Sequence, residues 1–342
     1  MPIDTVEQAL HIRRKKNAQV FRNIARLWDI GQKSHSDQDL LDALHPWRDD
    51  HSLCFFNVLP FILGIVSVCT LVFGYFFHPH IQYIFSLLAA FLTGFLAYLL
   101  YEPKEPLTQV ITYLEQRMTV LRYGLQFQQL PAYLPIQAQP LLVISRLKQF
   151  FPLFNRGTES NEITQYASTT WHDGTTEHQV LLFQYHYVSE LPIFQEENSN
   201  QKIAKEIHKD LWGAFIFQMP ASGIAVSNKR SRFFEPYTSS WQSSDILINQ
   251  ELNIFGVDQH QLAKEIGPSL TLKLHDFFQH FTGDLIYHHE EQILCYLGEQ
   301  NLFQTASKRS EIHDISALRG HLRTMTMPQY QKFQQLMLNL IS

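Results

Sequence analysis

Phe55 to Tyr101 reads FFNVLPFILGIVSVCTLVFGYFFHPHIQYIFSLLAAFLTGFLAYLLY, inside a run of 51 residues, between Asp50 and Glu102, without Asp, Glu, Lys or Arg. It divides into two spans, 55–77 and 81–101. Each exceeds the ~20 residues that a helix needs to cross a hydrocarbon core of about 30 Å. His78-Pro79-His80 between them is too short for anything but a tight turn, and Pro79 cannot continue a helix. The stretch predicts a transmembrane hairpin. A core hairpin of a soluble protein would need two adjacent helices apolar on every face.

Tyr75 and Tyr83 flank the turn, and Trp47, Tyr98 and Tyr101 mark the opposite end, where interfacial anchors belong. The turn carries no Lys or Arg. Lys33 and Arg48 precede the hairpin, and Lys104, Arg117 and Arg122 follow it. The positive-inside rule therefore predicts a bacterial inner (plasma) membrane protein of two spans with both termini cytoplasmic. The first 50 residues show no short apolar core with a small-residue cleavage site, so the hairpin is expected to be uncleaved. The three cysteines, Cys54, Cys69 and Cys295, suggest neither a disulfide nor a zinc site and fit a reducing cytosol.

No ionisable residue lies in either span, which argues for an anchor over an ion path. Ser86, Ala90 and Gly94 recur at every fourth position, a spacing that lets helices approach closely. This face is expected to pack against Gly64 and Ser67 of the same hairpin. An oligomer interface, and with it a channel, is the alternative.

Outward from the hairpin, the chain is expected to divide into 1–52, an amphipathic helical segment; 53–102, the hairpin; 103–154, juxtamembrane helices and a linker containing Pro131, Pro135 and Pro140; and 155–342, a cytoplasmic domain. In the first segment Val20, Phe21, Ile24, Leu27 and Trp28 form an apolar stripe, with Gly31 as a stop. That stripe suits anionic lipid or a protein surface equally. Ser36 and Asp39 form a capping-box pattern. After the second span, Leu107, Ile111, Leu114, Met118, Leu121 and Leu125 are spaced as an a/d seam. The seam offers an antiparallel stalk with the N-terminal helix, pairing with a second copy, or packing within the chain.

From about residue 160 the period becomes strand-like. Asp173-Gly174 signals a two-residue hairpin turn, Leu211–Met219 is expected to pair with Ile224–Ser227, and a further hairpin turns at Glu290-Glu291. Asp258 and Pro268 open helices, and two more helices close the chain. Strands followed by helices make the fold class α+β. Residues 1–150 carry a net charge of +2 and residues 151–342 one of −7, a poor balance for binding nucleic acid.

Glu251-Leu252-Asn253-x-Phe255 with Asp258, Ala263, Ile266, Pro268 and Leu274 resembles the centre of a bacterial family of membrane-anchored proteins, domain-of-unknown-function family 3137. Leu211-Trp212-Gly213-Ala214-Phe215 resembles its preceding strand, and Ile293-Leu294-Cys295 with Leu302-Phe303 the strand and pair that follow. The resemblance covers roughly residues 205–305 and implies a membrane hairpin ahead of an α+β domain. It implies no activity, because that family has none established. This chain departs from the pattern in a short link between Phe255 and Asp258 and in a Ser-rich insert.

Seventeen histidines invite a metal, but the spacings do not support one. His288-His289-Glu290-Glu291 reads as strand end plus turn, and His275 and His280 diverge on a helix. His172, His178 and His186 share one hairpin without a carboxylate cluster beside them. Ser222 lacks a nucleophile elbow, Cys295 lies in an apolar strand, and there is no phosphate-binding glycine loop. We therefore expect no catalytic residues, cofactor or metal, and partners consisting of the bilayer with another membrane-associated protein or a second copy. The expected role is a scaffold or protein-interaction module. A membrane-tethered hydrolase with a site in the strand-rich half is the alternative.

Overall fold

A computed structural model describes residues 15–47, 51–77, 80–129, 144–174, 176–191, 205–229, 235–306 and 312–342. The His78-Pro79 turn and the linker prolines lie outside them. In chain order the helices are α1 (Lys15–Lys33), α2 (Asp37–Ala43), α3 (Val58–Phe77), α4 (His80–Leu100), α5 (Glu105–Tyr123), α6 (Ile144–Phe150), α7 (Ile246–Glu251), α8 (Gln259–Glu265), α9 (Pro268–His280), α10 (Ile315–Thr324) and α11 (Pro328–Ile341). The strands are β1 (Gln126–Phe127), β2 (Ser160–His172), β3 (Glu177–Leu191), β4 (Lys205–Phe217), β5 (Ile224–Ser227), β6 (Ser239–Trp241), β7 (Asn253–Gly256), β8 (Gly283–Tyr287) and β9 (Ile293–Gly298). The structure is mixed α+β with an antiparallel sheet.

The chain packs as two compact units, Met1–Arg122 with Ser307–Met325, and Tyr123–Ala306 with Thr326–Ser342. This departs from the expected boundaries, which kept 155–342 together. Helix α10 is amphipathic, and its Ile315, Leu318 and Leu322 are buried in the first unit's core with Val20, Ile24 and Leu27 of α1 and Leu107, Val110, Leu114 and Met118 of α5. Hydrogen bonds from Leu53 N to His313 O (2.9 Å) and from Ile315 N to His51 O (3.0 Å) hold it there.

The stripe on α1 is thus covered by protein. Trp28 stacks on Tyr113 at 4.3 Å, Arg117 donates to Ser34 O at 2.9 Å, and Arg122 pairs with Asp37 at 3.3 Å. Partner numbers rise together, so α1 and α5 run parallel, and the antiparallel stalk is corrected. The reason lies in the return segment. A capping box from Ser36 to Asp39 starts α2. The chain then comes back beside α1, with Asn23 donating to Ser52 O at 3.0 Å and Phe21 meeting Phe55 at 5.2 Å.

Helices α3 and α4 are long and apolar enough to span a membrane. They pack antiparallel: Ser67 Oγ donates to Ala90 O at 2.6 Å, and Gly74 faces Ser86. At their base Asn57 Nδ2 donates to Glu102 O (2.7 Å) and Glu102 N donates to Asn57 Oδ1 (3.2 Å).

In the second unit the nine strands run in the order β1-β2-β3-β4-β9-β8-β5-β7-β6, every pair antiparallel. The predicted pairing of β4 with β5 is corrected, because the hairpin β8–β9 is inserted between them. Its strands are buried throughout, which demands a neighbour on both edges as well as both faces. The β2–β3 loop has four residues, not two: His172 pairs with Glu177, Asp173 Oδ1 accepts from Thr176 N, and Gly174 takes φ of +95°. One sheet face is covered by α7, α8, α9 and α11 through Ile248, Leu262, Phe277 and Phe333. The other is covered by Leu147 of α6 and by Phe151 and Phe154, where Phe183 and Phe215 stack at 4.5 Å. Each such aromatic pair adds about 0.5–1.5 kcal/mol beyond its burial.

Gly31 lies inside α1 and does not end it. A Cβ there would stand 2.5 Å from Tyr113 Cε1 and 2.9 Å from Leu114 Cδ2. Gly31→Leu should therefore destabilise the first unit by about 1–3 kcal/mol through overpacking. The check is the thermal midpoint of the full chain in detergent, which should fall; an unchanged midpoint would refute the close approach.

Candidate functional site

The residues singled out in the hairpin do not all meet. Ala90 is buried, and its carbonyl receives Ser67 Oγ; a Cβ on Gly94 would stand 3.0 Å from that same hydroxyl. Ser86 lies against Gly74. Gly64 stands apart, with nothing within 4 Å of an added Cβ, and helps line an apolar groove of about 950 Å³ with Phe61, Val68 and Tyr98. The small-residue face of α4 is thus occupied by α3, with Gly74 where Gly64 was expected.

The heptad positions divide. Leu107, Leu114 and Met118 are buried in the first unit, Ile111 and Leu121 pack partly against the same core, and Leu125 belongs to the core of the second unit. Val110, which is off the a/d register, is fully buried. Intramolecular packing therefore takes the place of a seam between copies. Trp47 is likewise buried in this core, with the Arg26 guanidinium 3.9 Å above its ring.

His172, His178 and His186 are not brought together. His172 lies 3.6 Å from Glu177, and His178 lies 3.4 Å from Asp173, both at the β2–β3 loop. His186 is eight residues further along β3, roughly 26 Å at strand rise. It meets residues of β4 instead: Asp210 accepts at 2.9 Å from His186 Nδ1, and His208 Nδ1 lies 3.5 Å from His186 Nε2. His208 Nε2 is 3.5 Å from Glu206. The result is an acid–imidazole–imidazole–acid chain on an exposed sheet face, with Glu162 opposite His186 on β2. Two imidazole nitrogens at this distance suit one metal, but among the described residues no group of three or more His, Cys, Asp or Glu could hold an ion. Of these contacts only His186 to Asp210 is a close hydrogen bond; the two imidazole rings lie stacked at 5.6 Å between centroids. The signal was the period-2 order Glu206-x-His208-x-Asp210, which lies in the half of β4 not predicted as strand.

A second polar cluster is buried. Asp284 on β8 accepts from Ser227 Oγ at 2.6 Å and forms an ion pair with Arg156, whose Nε donates to Leu153 O. Tyr185 beside it donates to Phe154 O at 2.9 Å and bonds Asn161, and burial pushes its hydroxyl up to about 12. These bonds pin the turn 153–156 onto the sheet. Cys295 is buried there as well; burial first, then the Asp284 charge, raise its thiol well above the ordinary range. It stays protonated and inert. At the β8–β9 turn His288 Nδ1 accepts from Glu290 N (3.1 Å) and Glu291 N (2.9 Å), and its ring packs on Phe151. Burial, then the neighbouring His289, lower its pKa to about 4.

Two measurements follow. Asp284 is 1% exposed and Arg156 26%, so Arg156→Met leaves a nearly buried carboxylate without its cation and should cost roughly 3 kcal/mol in urea unfolding. His288 titrates near 6.5 when unfolded and near 4 when folded. The unfolded chain therefore binds the extra proton between these values, and stability should fall as pH drops from about 6.5 to 4. His288→Asn should flatten that slope; a variant with the wild-type slope would show that this histidine does not govern it.

Comparison with protein-family models, curated proteins and solved structures finds no match for this chain.

Proposed function

We propose that the chain is a two-span protein of a bacterial inner membrane, both termini cytoplasmic, serving as a scaffold or protein-interaction module. The observation that carries this reading is the outward surface of α3 and α4. Phe61, Phe76 and Phe91 are each more than 70% exposed, and Ile, Leu and Val side chains surround them. Burying one such side chain is worth about 1.5–3 kcal/mol, so a surface of this extent needs a hydrocarbon cover. The absence of charge from 51 to 101 and the basic residues that flank the hairpin in the sequence support the orientation.

The assignment to domain family 3137 is part of the same proposal. Its matching positions are structural: Leu252, Ile266 and Leu274 are buried, and Asp258 caps α8 by accepting from Gln261 N. They speak for a fold and not for chemistry. The interaction role is supported by the exposed His186–His208 face, which carries charged and hydrogen-bonding groups beyond the helical cover of the sheet.

Alkaline carbonate should leave the protein in the membrane fraction; its release would refute the anchor. Orientation is read from the cysteines. Cys54 and Cys69 are exposed, whereas Cys295 is buried and its thiol raised, so with Cys69→Ser a membrane-impermeant maleimide reports Cys54 alone in the folded state. Labelling is expected in inverted vesicles and not in right-side-out spheroplasts; the reverse result would invert the topology. Purification in mild detergent should then yield a stoichiometric partner chain. A clean monomer would count against the scaffold.

A further inference from the structure

The first unit contains a cavity of about 520 Å³ between the end of α2 and α10. His45, His51, Ser316, Arg319 and Arg323 line it, Trp47 forms part of its wall, and no Asp or Glu lines it among the described residues. Arg48, Asp49 and Asp50 lie outside the described residues. The volume falls within the range of small-molecule sites.

This charge arrangement is not explained by the fold. Arg319 and Arg323 stand one helical turn apart, a like-charge spacing that costs an isolated helix a few tenths of a kcal/mol. The helix dipole favours Arg323 in the last turn of α10, but it does not account for Arg319, His45 and His51 on the same cavity. Arg319 Nε is fixed by Leu41 O at 2.9 Å, which orients the guanidinium. Its terminal nitrogens, and the whole Arg323 side chain, have no partner among the described residues. Trp47 in the wall is 94% buried. One concave site therefore gathers two arginines, two imidazoles and a hydroxyl, with no acidic residue among the described residues that line it.

We propose that this cavity binds a phosphate-bearing anion. Guanidinium forks match phosphate oxygens in pairs, the imidazoles and Ser316 add further donors, and the volume leaves room for an ester substituent. Two sources share this chemistry. His51 precedes the first residue of α3 by seven positions, at most about 25 Å of chain, which brings a lipid headgroup within range if α3 is a membrane span. A soluble phosphate ester is the other. The binding chemistry itself does not depend on the anchor reading.

The test uses the full chain in nanodiscs. In the first arm, phosphatidylcholine nanodiscs are titrated calorimetrically with glycerol 3-phosphate at constant ionic strength. In the second, the thermal midpoint is compared in nanodiscs with and without phosphatidylglycerol. Saturable heat in the first arm assigns a soluble ester; a raised midpoint in the second assigns the lipid. In either case Arg323→Glu, an exposed position whose change spares the core, should weaken the effect at least tenfold, and Arg319→Lys should weaken it while the protein stays folded. No response in either arm, or a response that Arg323→Glu leaves intact, overturns the proposal.

Discussion

Asn57 and Glu102 exchange two hydrogen bonds where the apolar helix pair joins the rest of its unit, and the organisation of that unit follows from this closure. Two antiparallel helices of similar length return the chain to the end at which it entered. Everything before α3 and after α4 must then begin at one place. Helix α5 leaves from Glu105, and α1 comes to lie beside it in the same direction because Asn17, near the start of α1, is held at this base by accepting from Phe56 N at 2.8 Å. The parallel pair buries its stripes against each other and against α10, which reaches the same core from near the other end of the chain.

The second unit answers a different constraint. A sheet buried on both faces tolerates few polar groups unless each is partnered, and Asp284 shows how that condition is met. It lies opposite Ser227 in the strand register, receives its hydroxyl, and is neutralised by Arg156 from the covering turn. The ion pair adds little through its own Coulomb energy, because both groups lose water. It specifies which turn covers this part of the sheet, and with it the placement of Phe151 and Phe154.

The polar features that remain are distributed by exposure. Buried groups such as Tyr185, Cys295 and His288 are held in their neutral forms by loss of water, and they serve packing and turn geometry. The His186–His208 chain and the arginines of α10 keep contact with solvent. The two sets do not overlap.

Local chemistry was legible in the sequence. The uncharged run gave the two long apolar helices, the Ser36 and Asp258 caps began α2 and α8, and the stripe on α1 marked a buried face, because each of these depends on residues within a turn or two of one another. Pairings between distant segments were not legible. The insertion of β8–β9 beside β4, the meeting of His186 with His208 and Asp210, the capture of α10 by the N-terminal core, and the gathering of His45, His51, Arg319 and Arg323 around one cavity join residues from roughly 20 to more than 270 positions apart. Period and composition report which face of an element is apolar. They carry no record of which other face will cover it, since any apolar surface of suitable shape satisfies the same hydrophobic demand and only the closed tertiary structure selects one.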